Sequence, residues 1–149
     1  MLVRRGTLAD LDFLVNGNAA MALETEALVL DPNTLEAGVR AVLEGRVPGT
    51  YFVGQVEHER VAQLMVTYEW SDWRNSMVWW IQSVWVTPEA RRRGYYGQLY
   101  RAVQAEARAA GAGGLRLYVD VHNTRAQAVY TALGMNGDHY RVFEAMERF

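Results

Sequence analysis

Residues 86–97 read VTPEARRRGYYG, which places three consecutive arginines just before two glycines. The stretch follows an apolar run that predicts a strand and precedes a run of helix-favouring residues. A helix N-terminus carries N–H groups without intrahelical partners and a partial positive charge, and Gly94 lets a ligand approach the backbone closely. With Arg91, Arg92 and Arg93 alongside, these features predict a diphosphate site. From these residues alone, a solvated turn is the alternative.

The sequence argues against several other kinds of site. The turn lacks the Gly-Lys-Ser/Thr of a P-loop and the G-x-G-x-x-G of dinucleotide-binding turns. The chain contains no cysteine, which excludes thiolate metal ligands and a cysteine nucleophile. The three histidines, His58, His122 and His139, lack the spacing of metal ligands. We therefore expect no metal site.

Charge is distributed unequally along the chain. Residues 1–75 carry six arginines and eleven carboxylates, a balance of −5, whereas residues 76–149 carry nine arginines and six carboxylates, a balance of +3. The first half predicts a surface that attracts cations and the second an anion site, unless the asymmetry reflects only an arginine-rich composition. The basic surplus is too small to predict nucleic-acid binding. No apolar run reaches the length of a membrane span, so we expect a cytoplasmic protein that binds no membrane.

The first half of the chain predicts one strand followed by two helices. Residues 2–5 are typical of a short strand, and Thr7 with Asp10 resembles a capping box before a helix. Asp31 and Pro32 have the pattern of an N-cap followed by an N1 proline, which predicts the start of the second helix.

The second half changes to a period of two and then alternates helices with strands. Three runs rich in Val, Trp and Tyr predict an antiparallel meander over residues 50–57, 61–70 and 77–87. The elements predicted after it are a helix over about 94–110, a strand over 115–121, a helix over 124–133 and a strand over 139–146. The order is βααβββαβαβ. It predicts one α/β domain over residues 1–149, with a mixed, mostly antiparallel sheet of about six to seven strands flanked by helices.

Two motifs in this order resemble those of the GNAT superfamily of acetyl-CoA-dependent N-acetyltransferases. The first is V-x-P-x-x-R-x-R-G at the turn, between an apolar strand and a Leu-bearing helix. The second is LYVDVHNTRAQAVYTALGM over residues 117–135. The resemblance covers almost the whole chain and implies acetyl-CoA as co-substrate, although the donor could carry a longer acyl group.

The resemblance assigns roles to individual residues around the turn. It implies that backbone groups of Val84 and Val86 bind the pantetheine arm, and that Asn123 binds the arm from the other side. It implies that the backbone amides from Arg92 to Gly97, including those of Tyr95 and Tyr96, hold the pyrophosphate. The superfamily pattern ends in glycine or alanine where this chain has Tyr96, which leaves the register of the amides open by about one residue.

The resemblance also implies direct attack of a primary amine on the thioester, with Tyr130 as the acid that protonates the leaving thiolate. From its helical position alone, a core aromatic is the alternative role for Tyr130. Several superfamily members carry a glutamate base in the fourth strand, where this chain has Trp80, with Gln82 nearby. The base is therefore open among Glu24, Glu26, Glu69, Asp72 and a relayed water.

The acceptor is predicted only by class. We place Glu24, Glu26, Trp80 and Gln82 at its pocket and expect the amine of a small molecule, a protein N-terminus or a lysine. Five tryptophans within 16 residues predict core or homodimer surface, or an aromatic wall around a cationic amine: Trp70, Trp73, Trp79, Trp80 and Trp85. The alternative function is a catalytically silent CoA-binding regulatory or interaction module.

Overall fold

The computed structural model describes residues 1–147 of the chain. The described residues form two compact units, of which the first comprises Met1–Leu117 and the second begins at Tyr118. A single domain over residues 1–149 stays a prediction.

The first unit is built on a five-stranded sheet. Its strands are β1 (Leu2–Arg5), β2 (Thr50–Val56), β3 (Glu59–Ser71), β4 (Ser76–Val86) and β5 (Gly114–Arg116). They lie in the order β1-β2-β3-β4-β5, and every pair is antiparallel except β4 with β5, which is parallel. This confirms the predicted fold class of a mixed, mostly antiparallel sheet flanked by helices.

Four helices accompany the sheet. They are α1 (Leu11–Glu26), α2 (Pro32–Leu43) and α3 (Tyr95–Ala109) in the first unit and α4 (Thr124–Ala132) in the second. Short 3₁₀ turns occur at Leu8–Asp10, Asp72–Arg74 and Pro88–Ala90. Helix α2 begins as predicted, because the Asp31 carboxylate accepts a hydrogen bond from the Thr34 N–H at 2.8 Å and Pro32 stands at the first turn. The Thr7–Asp10 capping box is also present, before the 3₁₀ turn that leads into α1.

The core lies on both faces of the sheet because side chains alternate along each strand. On one face, Tyr51 and Val53 pack with Leu11 and Leu14 of α1 and Val39 of α2 in a buried cluster. The strand residues between these point to the opposite face and are also buried. Helix α3 contacts β2 and β3, and the side of α3 that does so is buried as well. The sheet is thus covered by α1 and α2 on one side and by α3 on the other.

Two strand predictions were wrong. The predicted strand over 115–121 is only three residues long, since its parallel ladder with β4 covers Val78 to Trp80 and no more. Residues 139–146 form no strand in the described part of the chain, and the apolar side chains of Tyr140, Val142 and Phe143 are exposed. A strand needs a neighbouring ladder, and an apolar pattern alone does not supply one. The described sheet therefore has five strands rather than six to seven, and the order ends on α4.

No helix within residues 1–147 is both long enough and apolar enough to cross a bilayer.

Candidate functional site

A β-bulge interrupts strand β4 near its end. Gln82 pairs with Met65 and Trp85 pairs with Gln63, so the two residues between them on β4 face one residue of β3. Ser83, the first of the two, has a left-handed backbone with φ of 52°. A bulge bends a strand and redirects the groups that follow it. No local sequence signal predicts this bulge, since a non-glycine residue adopts this conformation at a cost.

The strand edge beyond the bulge is open on one side. Strand β5 pairs with β4 only as far as Trp80, and within residues 1–147 no other strand pairs with that edge further along. An open edge presents alternating backbone donors and acceptors to an extended, amide-containing ligand. Val84 and Val86, which we expected to bind such a ligand, lie in this segment. The Val86 carbonyl already accepts a hydrogen bond from the Arg91 guanidinium at 3.0 Å.

The turn from β4 to α3 leaves the helix N-terminus without a side-chain cap. Helix α3 begins at Tyr95, and its N-cap is Gly94, with φ of 74° and no capping side chain. Arg92 is also left-handed, with φ of 61°. The first N–H groups of a helix have no intrahelical acceptor, and turns of this kind direct successive amides toward an anion. The geometry fits the diphosphate site expected of this turn.

The three arginines of the turn are not equivalent. Arg91 donates to both carboxylate oxygens of Glu24, at 3.0 and 2.7 Å, and so ties the last turns of α1 to the turn before α3. Arg92 and Arg93 are exposed and form no ion pair within residues 1–147. Two arginines rather than three therefore remain to meet an anion at the start of α3.

Tyr96 and Gly97 lie inside the first turn of α3. The Tyr96 ring packs against Tyr100, with ring centroids 6.3 Å apart, and its backbone is helical. A tyrosine therefore fits where the superfamily pattern has a smaller residue. A Cβ on Gly97 would make only ordinary contacts of 3.5 Å or more with the Arg101 guanidinium. The protein itself thus leaves room for alanine at this position.

Gly97→Ala separates ligand approach from helix stability. Alanine should stabilise α3 by no more than about 0.5 kcal/mol, because Gly97 lies in the first turn and the full cost of glycine applies to a helix interior. If a diphosphate approaches the amides closely, the same methyl group should weaken acetyl-CoA binding about tenfold, as measured by calorimetry. Gly38→Ala is the matched control, since Gly38 lies in α2 and its added Cβ would meet no atom within 4 Å. Equal affinities in both variants would mean that the ligand does not approach Gly97.

The predicted acceptor residues on β4 belong to a polar cluster on one face of the sheet. The Trp80 indole donates to Glu69 at 2.7 Å, and Arg116 donates to the other oxygen of the same carboxylate at 2.9 Å. The Gln82 amide donates to the Thr67 hydroxyl at 2.6 Å. Both oxygens of Glu69, one of the candidate bases, thus already accept a hydrogen bond.

The carboxylates at the end of α1 point in different directions. The helix is regular through Glu26, so the side chains of Glu24 and Glu26 project about 200° apart. Glu24 is held by Arg91, whereas Glu26 is exposed. Only one of the two can face a given pocket.

The five tryptophans do not form one cage. Trp79 is buried in the core, and Trp85 packs against Phe13 with ring centroids 6.1 Å apart. Trp79 and Trp80 are consecutive on a strand and therefore point to opposite faces. Trp70 and Trp73 lie at the far end of the β3–β4 hairpin and are exposed.

The second unit contains the remaining predicted site residues. Asn123 is the N-cap of α4, where its side-chain oxygen accepts from the Ala126 N–H at 3.1 Å. Burial raises the pKa of the Tyr130 phenol, which therefore stays protonated at neutral pH. The His122 Nδ1 atom lies 3.1 Å from the Asp120 Oδ1 atom. Residues 1–147 contain no group of side chains arranged to hold a metal ion.

The chain is similar to a family of acetyltransferases over most of its length. A sequence model of the Acetyltransferase (GNAT) family matches residues 20–135. A possible acetyltransferase from Clostridium difficile 630 is 38% identical, with a TM-score of 0.91 over 99% of this chain and 98% of that chain. A comparison with curated proteins finds no match.

Two further solved structures share the fold at lower identity. A predicted acetyltransferase with acetyl-CoA from Clostridium acetobutylicum is 12% identical, with a TM-score of 0.76 over 96% of this chain and 95% of that chain. AAC(6')-Iy, in complex with the bisubstrate analog CoA-S-monomethyl-acetylneamine, is 18% identical, with a TM-score of 0.77 over 99% and 98% of the two chains.

Proposed function

The chain belongs to the acetyltransferase (GNAT) family, and we propose that it transfers the acetyl group of acetyl-CoA directly to a primary amine. The observation that carries this proposal is the continuous path from the open edge of β4 to the uncapped N-terminus of α3. An extended amide chain ending in a diphosphate fits that path, because the edge offers strand-like hydrogen bonds and the helix start offers amides to phosphate oxygens. The acetyl-CoA and CoA-analog complexes of proteins with this fold support it.

Each part of the coenzyme then has its own partners. Backbone groups of Val84 and Val86 bind the pantetheine arm, and the amides from Arg92 to Gly97 bind the diphosphate. The exposed guanidinium groups of Arg92 and Arg93 supply the opposite charge. Asn123 contributes through its side-chain NH₂ group, because its oxygen is used to cap α4.

The proposed reaction is a direct acyl transfer, without a covalent enzyme intermediate. The lone pair of the neutral amine attacks the thioester carbonyl carbon, a C–N bond forms, and the C–S bond breaks as the thiolate leaves. Before the attack the cationic acceptor loses one proton to the base, and its nitrogen loses a second as the amide forms. Tyr130 supplies a proton to sulfur and is reprotonated from solvent, so one proton is released per turnover. We propose a relayed water as the base in place of Glu24, which Arg91 holds, and of Glu69, whose two oxygens both accept hydrogen bonds.

The acceptor is a cationic amine of a small molecule, a protein N-terminus or a lysine, in a cytoplasmic setting. The acidic balance of residues 1–75 favours its approach. Glu26 is the carboxylate of α1 that we place at its pocket, since it is exposed and Glu24 is engaged.

Acetyl-CoA should stabilise the protein against unfolding. At a hundredfold excess over its dissociation constant, binding to the folded state alone contributes about 2.7 kcal/mol, or roughly 5–10 °C in melting temperature for a chain of this size. S-acetylpantetheine, which lacks the diphosphate, should shift the melting temperature far less at the same concentration. Identical melting curves with and without millimolar acetyl-CoA would contradict both the coenzyme site and the proposed enzyme.

An acceptor screen that follows thiol release then tests catalysis itself. The chain has no cysteine, so a thiol reagent reports only free CoA. Polyamines, aminoglycosides, amino acids and peptides with free N-termini or lysines make up the panel. Thermal stabilisation by acetyl-CoA without turnover on any amine would favour the silent CoA-binding module. The hydrogen bonds that Glu24 and Glu69 already accept are consistent with that alternative, because they leave neither carboxylate available as a base.

A further inference from the structure

A chain of buried polar side chains links α1 to the sheet. The Gln63 amide donates to the Asn18 side-chain oxygen at 2.7 Å and to the Leu14 carbonyl at 3.3 Å. The Asn18 amide donates in turn to the Tyr51 phenol oxygen at 3.1 Å. Gln63, Tyr51 and Asn18 are 0%, 3% and 6% exposed, so none of these bonds competes with bulk water. We call Gln63, Asn18 and Tyr51 the buried polar chain.

The buried polar chain lies against both flanks of the β4 bulge. Gln63 pairs across the strands with Trp85, the first residue after the bulge to regain register. Tyr51 pairs with Met65, which pairs with Gln82 just before the bulge. The Tyr51 phenol also lies beside Ser83, and burial raises the pKa of the phenol and keeps it protonated.

Helix α1 packs closely against this part of the sheet at Gly17. A Cβ on Gly17 would overlap the Gln63 amide and come within 2.9 Å of the Trp85 ring. Glycine therefore permits the approach that lets Asn18, the next residue, reach the buried polar chain. The spacing of helix and bulge is set by this glycine together with the hydrogen bonds.

Stability alone does not account for the buried polar chain. Within residues 1–147, the Gln63 side-chain oxygen and the Trp85 indole N–H are buried without a hydrogen-bond partner. A partly satisfied buried network costs free energy, and apolar side chains of similar volume would stabilise the core more. These two atoms belong to the Gln63–Trp85 pair beside the left-handed Ser83. Such costs concentrate where a structure fixes a functional geometry.

We propose that the buried polar chain and Ser83 position the pantetheine arm, by holding the β4 bulge at the angle that directs the strand edge toward the ligand. This inference rests on the proposed function, because it assumes that acetyl-CoA follows the edge of β4. These are positioning residues, since they act through the backbone that follows the bulge and do not touch the reacting atoms. The diphosphate turn lies further along the chain and does not depend on them.

The test compares two ligands in the full-length chain by isothermal titration calorimetry. Acetyl-CoA contains the pantetheine arm, whereas 3′-phosphoadenosine 5′-diphosphate keeps the diphosphate and lacks the arm. Tyr51→Phe removes the hydroxyl that accepts from Asn18, and Ser83→Ala removes the hydroxyl beside it at the bulge. Each should weaken acetyl-CoA about tenfold and leave the affinity for the fragment unchanged, and the double variant should lose little more than either single variant.

Tyr68→Phe is the matched control. Its phenol also forms a hydroxyl–hydroxyl hydrogen bond, at 2.7 Å with Thr50, on the opposite face of the same strands. It should lower the melting temperature like Tyr51→Phe and leave both affinities unchanged.

Three results would overturn the inference. They are unchanged acetyl-CoA affinity in both Tyr51→Phe and Ser83→Ala, equal weakening of both ligands, and the same selective loss in Tyr68→Phe. If Tyr51→Phe does not fold, Ser83→Ala decides alone, since it leaves Gln63, Asn18 and Tyr51 intact. Failure of the wild-type protein to bind acetyl-CoA would instead count against the proposed function.

Discussion

Tyr130→Phe is expected to lower turnover roughly tenfold to a thousandfold and to leave the dissociation constant of acetyl-CoA unchanged. The substitution keeps the ring and its packing and removes only the proton that the leaving thiolate would take. Burial raises the pKa of the Tyr130 phenol above its ordinary value of about 10. The phenol is therefore protonated throughout the neutral range, and its ionisation should not limit turnover between about pH 6 and pH 9.

The measurement is steady-state thiol release at saturating acceptor, with acetyl-CoA affinity determined separately. Tyr140→Phe is the control, because Tyr140 is an exposed tyrosine of the same unit and its substitution makes the same chemical change. Wild-type turnover in Tyr130→Phe, under conditions where the chemical step limits the rate, would assign Tyr130 to packing. Sulfur would then take its proton from water.

Local signals predicted the helices and the meander well. Asp31 and Pro32 predicted the start of α2 because an N-cap and an N1 proline act within one turn. Predictions that needed a distant partner were less reliable. The apolar run from residue 115 predicts a strand to residue 121, yet the length of that strand depends on where the ladder with β4 ends, at Trp80.

In the candidate site, too, features formed by neighbouring residues could be predicted and features formed by distant residues could not. The sequence indicated the turn before α3, because Gly94 and the arginines are neighbours, and the structure places Gly94 at the N-cap in a left-handed conformation. It did not indicate the ion pair of Glu24 with Arg91, which are 67 residues apart. It also missed the bulge, since Ser83 is not a residue type that prefers positive φ. Contacts that the fold creates between distant segments have no local signature.

A second large effect is expected at Asp10, in the first unit. Its carboxylate is fully buried, accepts two hydrogen bonds from Arg4 at 2.8 Å each, and forms a further ion pair with Arg60. The Thr7 N–H also donates to it at 2.8 Å. One side chain thereby joins β1, the turn before α1 and the start of β3.

Asp10→Asn should lower the free energy of unfolding at pH 7 by roughly 3 kcal/mol, the low end for removing one partner of a buried ion pair. The low end applies because Arg4 and Arg60 remain about one-third exposed and can be rehydrated. The melting temperature should fall by about 6–12 °C. Asp31→Asn is the control, because asparagine caps a helix about as well as aspartate, and it should melt close to wild type.

The pH dependence of stability tests the charge of Asp10 itself. Hydrogen bonds from Arg4, above all, hold the pKa of the Asp10 carboxyl far below its ordinary value of about 3.9. A group whose pKa is depressed in the folded state stabilises the protein above the unfolded-state pKa and loses that contribution as pH falls through the acid range. The wild-type free energy of unfolding should therefore decrease from about pH 5 downward, and the difference from Asp10→Asn should narrow with it, as followed by urea denaturation at each pH. A difference that stays constant from pH 7 to pH 3 would mean that Asp10 stabilises the fold through shape and neutral hydrogen bonds, and not through its charge.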